Sequence, residues 1–199
     1  MTVTTSKARI SKGRARILGA AKDLLWERGY EHMSPRDVLE RSGAGQGSLY
    51  HHFSGKMEMA QAALDEMVAE ESAAVDAIFS PDKPPVQRLS DYLTRQRAAL
   101  KGCRVGRLAN ETVMEQPALR EGVARYLGHV EELITQAIRE GQQAGTLRLD
   151  MDAQALGAMV LSVIEGGYIL ARAHWDGARM ARALAGAEAL LAAVTLPPE

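Results

Sequence analysis

Apolar residues recur with helical spacing along nearly the whole chain. Over residues 11–29, Ile17, Ala20, Ala21, Leu24 and Leu25 fall on one face, and Gly29 ends the run as a left-handed C-terminal residue does. Ser34 is placed to cap a second, short helix. Pro35 suits its first turn, Asp37 its positive end, and Val38 and Leu39 its buried side, up to about Gly43. A third short helix is predicted over 46–52. A long one follows from Lys56 to about Phe79, with Met59, Ala63, Met67 and Val75 on its apolar side. The segment SPDKPP (80–85) breaks it, and a helix from 86 to 101 is predicted to end at Gly102. CRVGRLANETVME is weakly periodic and reads as a short helix. Pro117 opens a strong helix to about Gln143. Leu119, Val123, Tyr126, Leu127, Val130, Leu133, Ile134, Ala137 and Ile138 form its stripe, and Gly141 and Gly145 end it. TLRLDMD reads as an extended loop. Asp152 then caps a helix over 153–174, and an alanine-rich helix spans 178–194. The pattern predicts an all-α chain of about nine helices. The first three helices and the start of the fourth form a small basic N-terminal unit, and the rest forms a larger C-terminal helical body.

Composition narrows the class. The 199 residues are 46% hydrophobic and 25% charged, the balance of a folded chain. The single cysteine, Cys103, permits no internal disulfide and points to a reducing compartment. No membrane-spanning run is apparent and the N-terminus lacks the apolar segment of a secretory signal. The expectation is a cytoplasmic protein with no membrane partner. The net charge of −1 hides an asymmetry. Residues 1–60 carry ten Lys/Arg against six Asp/Glu, and the remaining residues carry fourteen against nineteen. Lys7, Arg9, Lys12, Arg14 and Arg16 form a basic arm without an acid, which fits either a polyanion partner or a solubilising tail.

The densest chemistry lies in GAGQGSLYHHF, residues 43–53. A phosphate-cradling loop would need G-x-G-x-x-G or a Walker lysine and a preceding strand, all missing here. A metal or catalytic pair is disfavoured because adjacent His51 and His52 point about 100° apart on a helix. Two short helices joined by a glycine turn have the layout of a helix-turn-helix, whose second helix enters the DNA major groove. Gln46, Ser48 and His51 then offer donors and acceptors to base edges. Gly47 keeps bulk away where backbone nears phosphate. Tyr50, His52 and Lys56 supply phosphate contacts, joined by Arg14 and Arg36. Leu49 and Phe53 anchor the helix from its other side.

At this point GSLYHHFSGKMEMAQAAL resembles the end of the DNA-binding domain of the TetR family of transcriptional regulators. That family closes its helix-turn-helix in L-Y-x-H/Y-F-x-x-K, matched by Leu49, Tyr50, His52, Phe53 and Lys56. ARILGAAKDLLWERGYEHMSPRDVLERSGA resembles the family's first two helices, and GCRVGRLANE resembles a motif of one subgroup. One departure is Gly45, where the family usually places a Ser or Thr cap. The resemblance implies a ligand-responsive repressor that binds a palindromic double-stranded operator as a homodimer and is released by a small-molecule effector. It implies a DNA-binding domain over 1–55 and a ligand-binding and dimerisation domain over 56–199. The helices at 153–174 and 178–194 would form the dimer contact. It implies no enzyme activity, no cofactor and no metal.

Effector contacts are the least legible part. Residues that stand out within apolar helical faces, or near them, are Cys103, Asn110, Met114, Tyr126, His129, Glu165, Tyr168 and Trp175. For each of them a core or surface role competes. An all-helical enzyme and a protein-binding adaptor are the alternatives from other classes; no nucleophile–base set or metal-spaced cluster supports the first.

Overall fold

The computed structural model describes residues 2–197, with side chains described from Lys12 onward. Among the described residues there are eight α-helices: α1 (Thr2–Arg28), α2 (Pro35–Ser42), α3 (Gln46–His52), α4 (Lys56–Ile78), α5 (Pro85–Thr94), α6 (Pro117–Gln143), α7 (Ala153–Ala173) and α8 (Ala178–Val194). Two 3-10 turns, Gly106–Asn110 and Thr112–Glu115, stand where the weakly periodic segment predicted a short helix. No named strand occurs among the described residues; one isolated antiparallel bridge joins Leu147 and Thr195.

The chain divides into two compact units. The first comprises residues 1–69 and 107–124, the second 70–106 and 125–199. The helix-turn-helix segment expected over 1–55 lies wholly in the first. That unit also takes in the start of α4, both 3-10 turns beyond Gly106, and the start of α6.

In the first unit α1 packs on α2 and α3. Ile17, Leu18, Leu24, Leu25, Val38, Leu49, Met59 and Leu64 are fully or almost fully buried. The local signals act as expected. Ser34 caps α2 in a reciprocal capping box with Asp37, and Gly43 takes the left-handed C-terminal position at φ 62°. The hydrogen bonds from Ser34 hold the Asp37 carboxyl below its ordinary pKa. The basic arm is a different matter. α1 begins at Thr2, so Lys12, Arg14 and Arg16 project from a helix rather than from an extended segment. The side chains of Lys7 and Arg9 lie outside the described residues.

In the second unit α7 packs on α8, and α8 on α5. Asp152 caps α7 by accepting from the Gln154 amide. α5 is shorter than predicted, ending at Thr94. The Arg97 guanidinium folds back onto the carbonyls of Leu93 (2.8 Å) and Arg95 (3.0 Å), satisfying acceptors a helix end leaves free. Gly141 does not end α6 but sits inside it. A Cβ there would lie 2.6 Å from Leu147 Cδ1, so the glycine makes room for that buried leucine. α7 corrects the membrane reading of the sequence: by length and composition it is apolar enough to cross a bilayer. A core helix meets the same test, and Leu161, Ile164, Gly167, Tyr168 and Ala171 of α7 are buried in this unit.

Candidate nucleic-acid interface and effector region

The short α3 has two kinds of face. Leu49 and Phe53 are buried and fix the helix to the first unit. Gln46, Gly47, Tyr50 and His51 are exposed, Tyr50 by 54%. These four form a solvated polar strip of the kind that reads base edges and phosphates. Ser48 and His52 turn elsewhere. A Cβ on Gly13 of α1 would meet Ser48 Oγ at 3.0 Å and His52 Nε2 at 3.9 Å, so both side chains lie along α1. Ser48 is half-buried there, and the structure places it in α1–α3 packing rather than on the outward strip. The rings of His51 and His52 meet edge to face at 5.0 Å, pointing apart as adjacent helical residues must. Gly45 caps α3 with extended backbone and no side-chain hydrogen bond, and nothing lies within 4 Å of the Cβ a larger residue would bring.

The basic residues around this strip are partly engaged. Arg36 is nearly free in solvent and pairs with Glu40 at 2.9 Å on its own helix. Arg14 lies over the Phe53 ring at 5.7 Å and 3.7 Å from Glu66. Lys56 is held more closely. Its ammonium stands 4.2 Å from the centre of the Tyr30 ring and donates to the Glu31 carbonyl at 3.3 Å. Partial burial lowers its pKa from the ordinary lysine value, against the pull of Glu111 and Glu31. Lys56 therefore ties the start of α4 to the α1–α2 connection.

The same connection receives a reciprocal clasp that the sequence did not signal. The Glu111 carboxylate accepts from the Glu31 amide at 3.0 Å. The Glu31 carboxylate accepts from the Thr112 amide at 3.1 Å and from the Thr112 hydroxyl. These Thr112 bonds hold the Glu31 carboxyl below its ordinary pKa. Arg107 adds a hydrogen bond to the Trp26 carbonyl at 2.9 Å. Gly29, at φ 82°, admits the clasp because a Cβ there would lie 2.0 Å from Glu111 Oε1. The pairing is between residues about eighty positions apart, which no local pattern reports.

Of the eight residues singled out for effector contact, four come together. The Cys103 thiol, Glu165, Tyr126 and Tyr168 share an interior region of the second unit with Tyr92, Arg95 and Arg97. A Cβ on Gly106 would meet Glu165 Oε2 at 2.8 Å and Cys103 Sγ at 3.1 Å, so this glycine lets chain, carboxyl and thiol crowd together. Burial raises the Glu165 carboxyl above its ordinary pKa, opposed by the hydrogen bond to Cys103 and by Arg97. Burial also raises the Cys103 thiol and the Tyr126 and Tyr168 hydroxyls. A thiol so protonated is a weak nucleophile. The other four are not brought to this region. Asn110 and Met114 belong to the first unit. His129 is half-exposed and lies 2.7 Å from Asp76. Trp175 is 75% exposed at the α7–α8 turn, with φ at 50°. No group of three or more potential metal ligands occurs among the described residues.

A second feature of the same unit escaped sequence reasoning entirely. An apolar cavity of about 170 Å³ lies among α5, α6, α7 and α8, and none of the eight singled-out residues lines it. Its lining is mostly aliphatic, with Tyr92, Gln142 and Arg148 among it. The only sequence signal is that α5 carries Val86, Leu89 and Leu93 at helical spacing, which is also the signal of any core helix.

Comparison with known proteins agrees with this architecture. Residues 17–63 match the family described as bacterial regulatory proteins, tetR family. Residues 85–187 match the tetracyclin repressor-like C-terminal domain. The chain belongs to the TetR family, which is a family of transcriptional regulators and not of enzymes. It is similar to the HTH-type transcriptional regulator YxaF of Bacillus subtilis, 27% identical over 170 residues, covering 82% of this chain and 86% of that one. It is also similar to the HTH-type transcriptional repressor DhaR of Mycobacterium sp. (strain GP1), 23% identical, covering 78% and 80%. Its fold is that of a TetR-family regulator from Agrobacterium tumefaciens, with a TM-score of 0.84 at 21% identity over 94% of this chain and 100% of that one.

Proposed function

We propose that this transcriptional regulator is a repressor that binds a palindromic operator as a homodimer in the cytoplasm and is released when a small molecule enters residues 56–199. The observation that carries the reading is the exposed strip of α3. A seven-residue helix anchored by Leu49 and Phe53 holds Gln46, Gly47, Tyr50 and His51 exposed. Gln46 and His51 are assigned to base edges, and Tyr50, Arg36 and the spare donors of Lys56 to phosphates. Ser48, His52 and Arg14 support α3 and contact DNA only from its margins. Two such helices must lie roughly 34–36 Å apart to enter successive major grooves, which requires a dimer. α7 and α8 are assigned to that dimer. Ile169 and Leu170 of α7 are exposed by 56% and 48%, and Gly166 on the same side has nothing within 4 Å of its Cβ position. An uncharged apolar face of this kind suits helix–helix packing.

The test is selection of duplexes from a random pool by the purified protein. A palindromic consensus is expected, and Gln46→Ala should relax preference at one position of each half-site, losing ~1–3 kcal/mol of discrimination. Selection of no consensus over competitor at moderate salt would overturn the reading.

A further inference from the structure

The cavity in the second unit is faced by Leu89 and Leu93 of α5, Ile138 of α6, Leu156 of α7, and Ala187 and Val194 of α8. We propose that it is a binding site for small uncharged apolar molecules, of the one-ring aromatic or short branched alkyl class, and that filling it is an effector event. The second half of this statement rests on the regulator reading above.

Size comes first. Protein interiors rarely leave voids much larger than a water molecule, because lining atoms lose dispersion contacts across an empty gap. At about 170 Å³ this one far exceeds that scale. Apolar cavities of roughly 150 Å³ stay dry and accept benzene.

Charge comes second. Three polar side chains border the space, Tyr92, Gln142 and Arg148. Tyr92 brings an aromatic ring that already packs on Phe79 (centroids 5.3 Å) and lies under the Arg95 and Arg97 guanidiniums, and the other two are committed. The Gln142 amide nitrogen donates to the carbonyls of Arg148 (2.9 Å) and Met151 (2.8 Å). The Arg148 guanidinium donates to both carboxylate oxygens of Asp150, at 3.0 and 2.7 Å. A charged ligand would find no counter-charge free to meet it and would lose its hydration on entry. An uncharged apolar ligand gains contacts with no such cost. The cavity shares Tyr92 with the Glu165–Cys103 region of the same unit, but the carboxyl and thiol of that region do not line it.

Access and leverage come third. Leu190 borders the cavity and is exposed by 56%, which gives an entry path past an apolar side chain. The far wall is closed by the α6–α7 connection. There the Arg148 amide donates to the Val194 carbonyl (3.1 Å) and the Leu196 amide to the Thr146 carbonyl (2.9 Å). A ligand inside would touch four helices at once and set the position of α8 against α5 and α6. α7 and α8 are the helices assigned to the dimer, so occupancy has a route to operator affinity.

Calorimetric titration of the full-length protein with toluene tests the proposal, with benzoate and benzylammonium as charged probes built on the same ring. Toluene is expected to bind, and each charged probe to bind about tenfold or more weakly. Ala187→Leu fills the space and should weaken toluene binding about tenfold or more. Circular dichroism checks that this variant is folded; if it is not, Leu156→Phe fills the same space from α7. Toluene should change affinity for the protein's own selected operator about fivefold or more. No binding of toluene overturns the proposal, as does equal binding by the filled variant or by the charged probes. Toluene binding that leaves operator affinity unchanged overturns the effector role. Operator binding without probe is measured first. If that fails, the regulator reading has failed, while the calorimetry still decides the cavity.

Discussion

The two units of this protein use polar side chains in opposite ways. In the first, Gln46, Tyr50 and His51 stand outside on a helix whose apolar side is fully occupied. In the second, Glu165, Tyr126, Tyr168 and Cys103 are turned inward, and burial raises the pKa of each. An exposed polar strip is ready for a polyanion without any rearrangement. A buried polar set, or an empty apolar space, answers only to a molecule small enough to enter. The contrast teaches that one unit is built to meet a large surface and the other to discriminate small ligands.

The anchor of the exposed strip offers the hardest blow to this comparison. Leu49 is fully buried, and Leu49→Ala should cost about 2–4 kcal/mol and detach α3, removing operator binding while leaving most helicity. Thermal denaturation with fluorescence anisotropy on operator DNA checks both. A variant that loses stability yet binds normally would show that α3 is not the reading helix.

The buried side is probed by pH. Because burial raises the folded-state pKa of Glu165, the folded protein holds a proton there that the unfolded chain has lost. Stability from this group should fall as pH rises from the ordinary carboxylate value through the raised one, and be flat above it. Glu165→Gln should abolish that slope in a plot of Tm against pH. Equal slopes in the two proteins would mean that Glu165 is ionised in the fold and held by Arg97.

Lys56 lies where the two uses of polarity meet. Its ammonium is spent on Tyr30 and Glu31 in the structure, yet retains donors for phosphate. Lys56→Ala should lower stability by about 1 kcal/mol through loss of the ring contact. If it also touches phosphate, the salt slope of operator binding falls by about one per subunit. Lower stability with an unchanged slope would make it a tether alone.

The smallest expected effect concerns Gly45. Its backbone already has cap geometry and open space for a side chain. Gly45→Ser should raise stability by a few tenths of a kcal/mol, measured by denaturant unfolding. A steeper salt slope in the same variant would show that the added hydroxyl reaches phosphate.

How much of this was legible beforehand varies with the range of the interaction. The bounds of α3 and α6, the Ser34 and Asp152 caps, the left-handed Gly29 and the end of α2 near Gly43 follow from neighbours within a few positions, and all read correctly. So did the family, through Leu49, Tyr50, His52, Phe53 and Lys56. Errors arose where a particular side-chain contact decided. α5 ends at Thr94, where the Arg97 guanidinium turns back onto the Leu93 carbonyl. Gly141 looked like a helix end and proved to be space for Leu147. Ser48, expected at base edges, lies against Gly13 of α1, thirty-five positions away.

By itself the sequence determined the helices, the recognition motif and the class of regulator, because capping, periodicity and a contiguous motif are local properties of the chain. Only the tertiary structure decided that Glu31, Glu111 and Thr112 clasp one another, that four of eight unusual residues gather around Glu165, and that aliphatic side chains of four helices leave a space among them. A void belongs to no residue: it is the difference between the volume the helices enclose and the volume their side chains fill, and that exists only once they have packed.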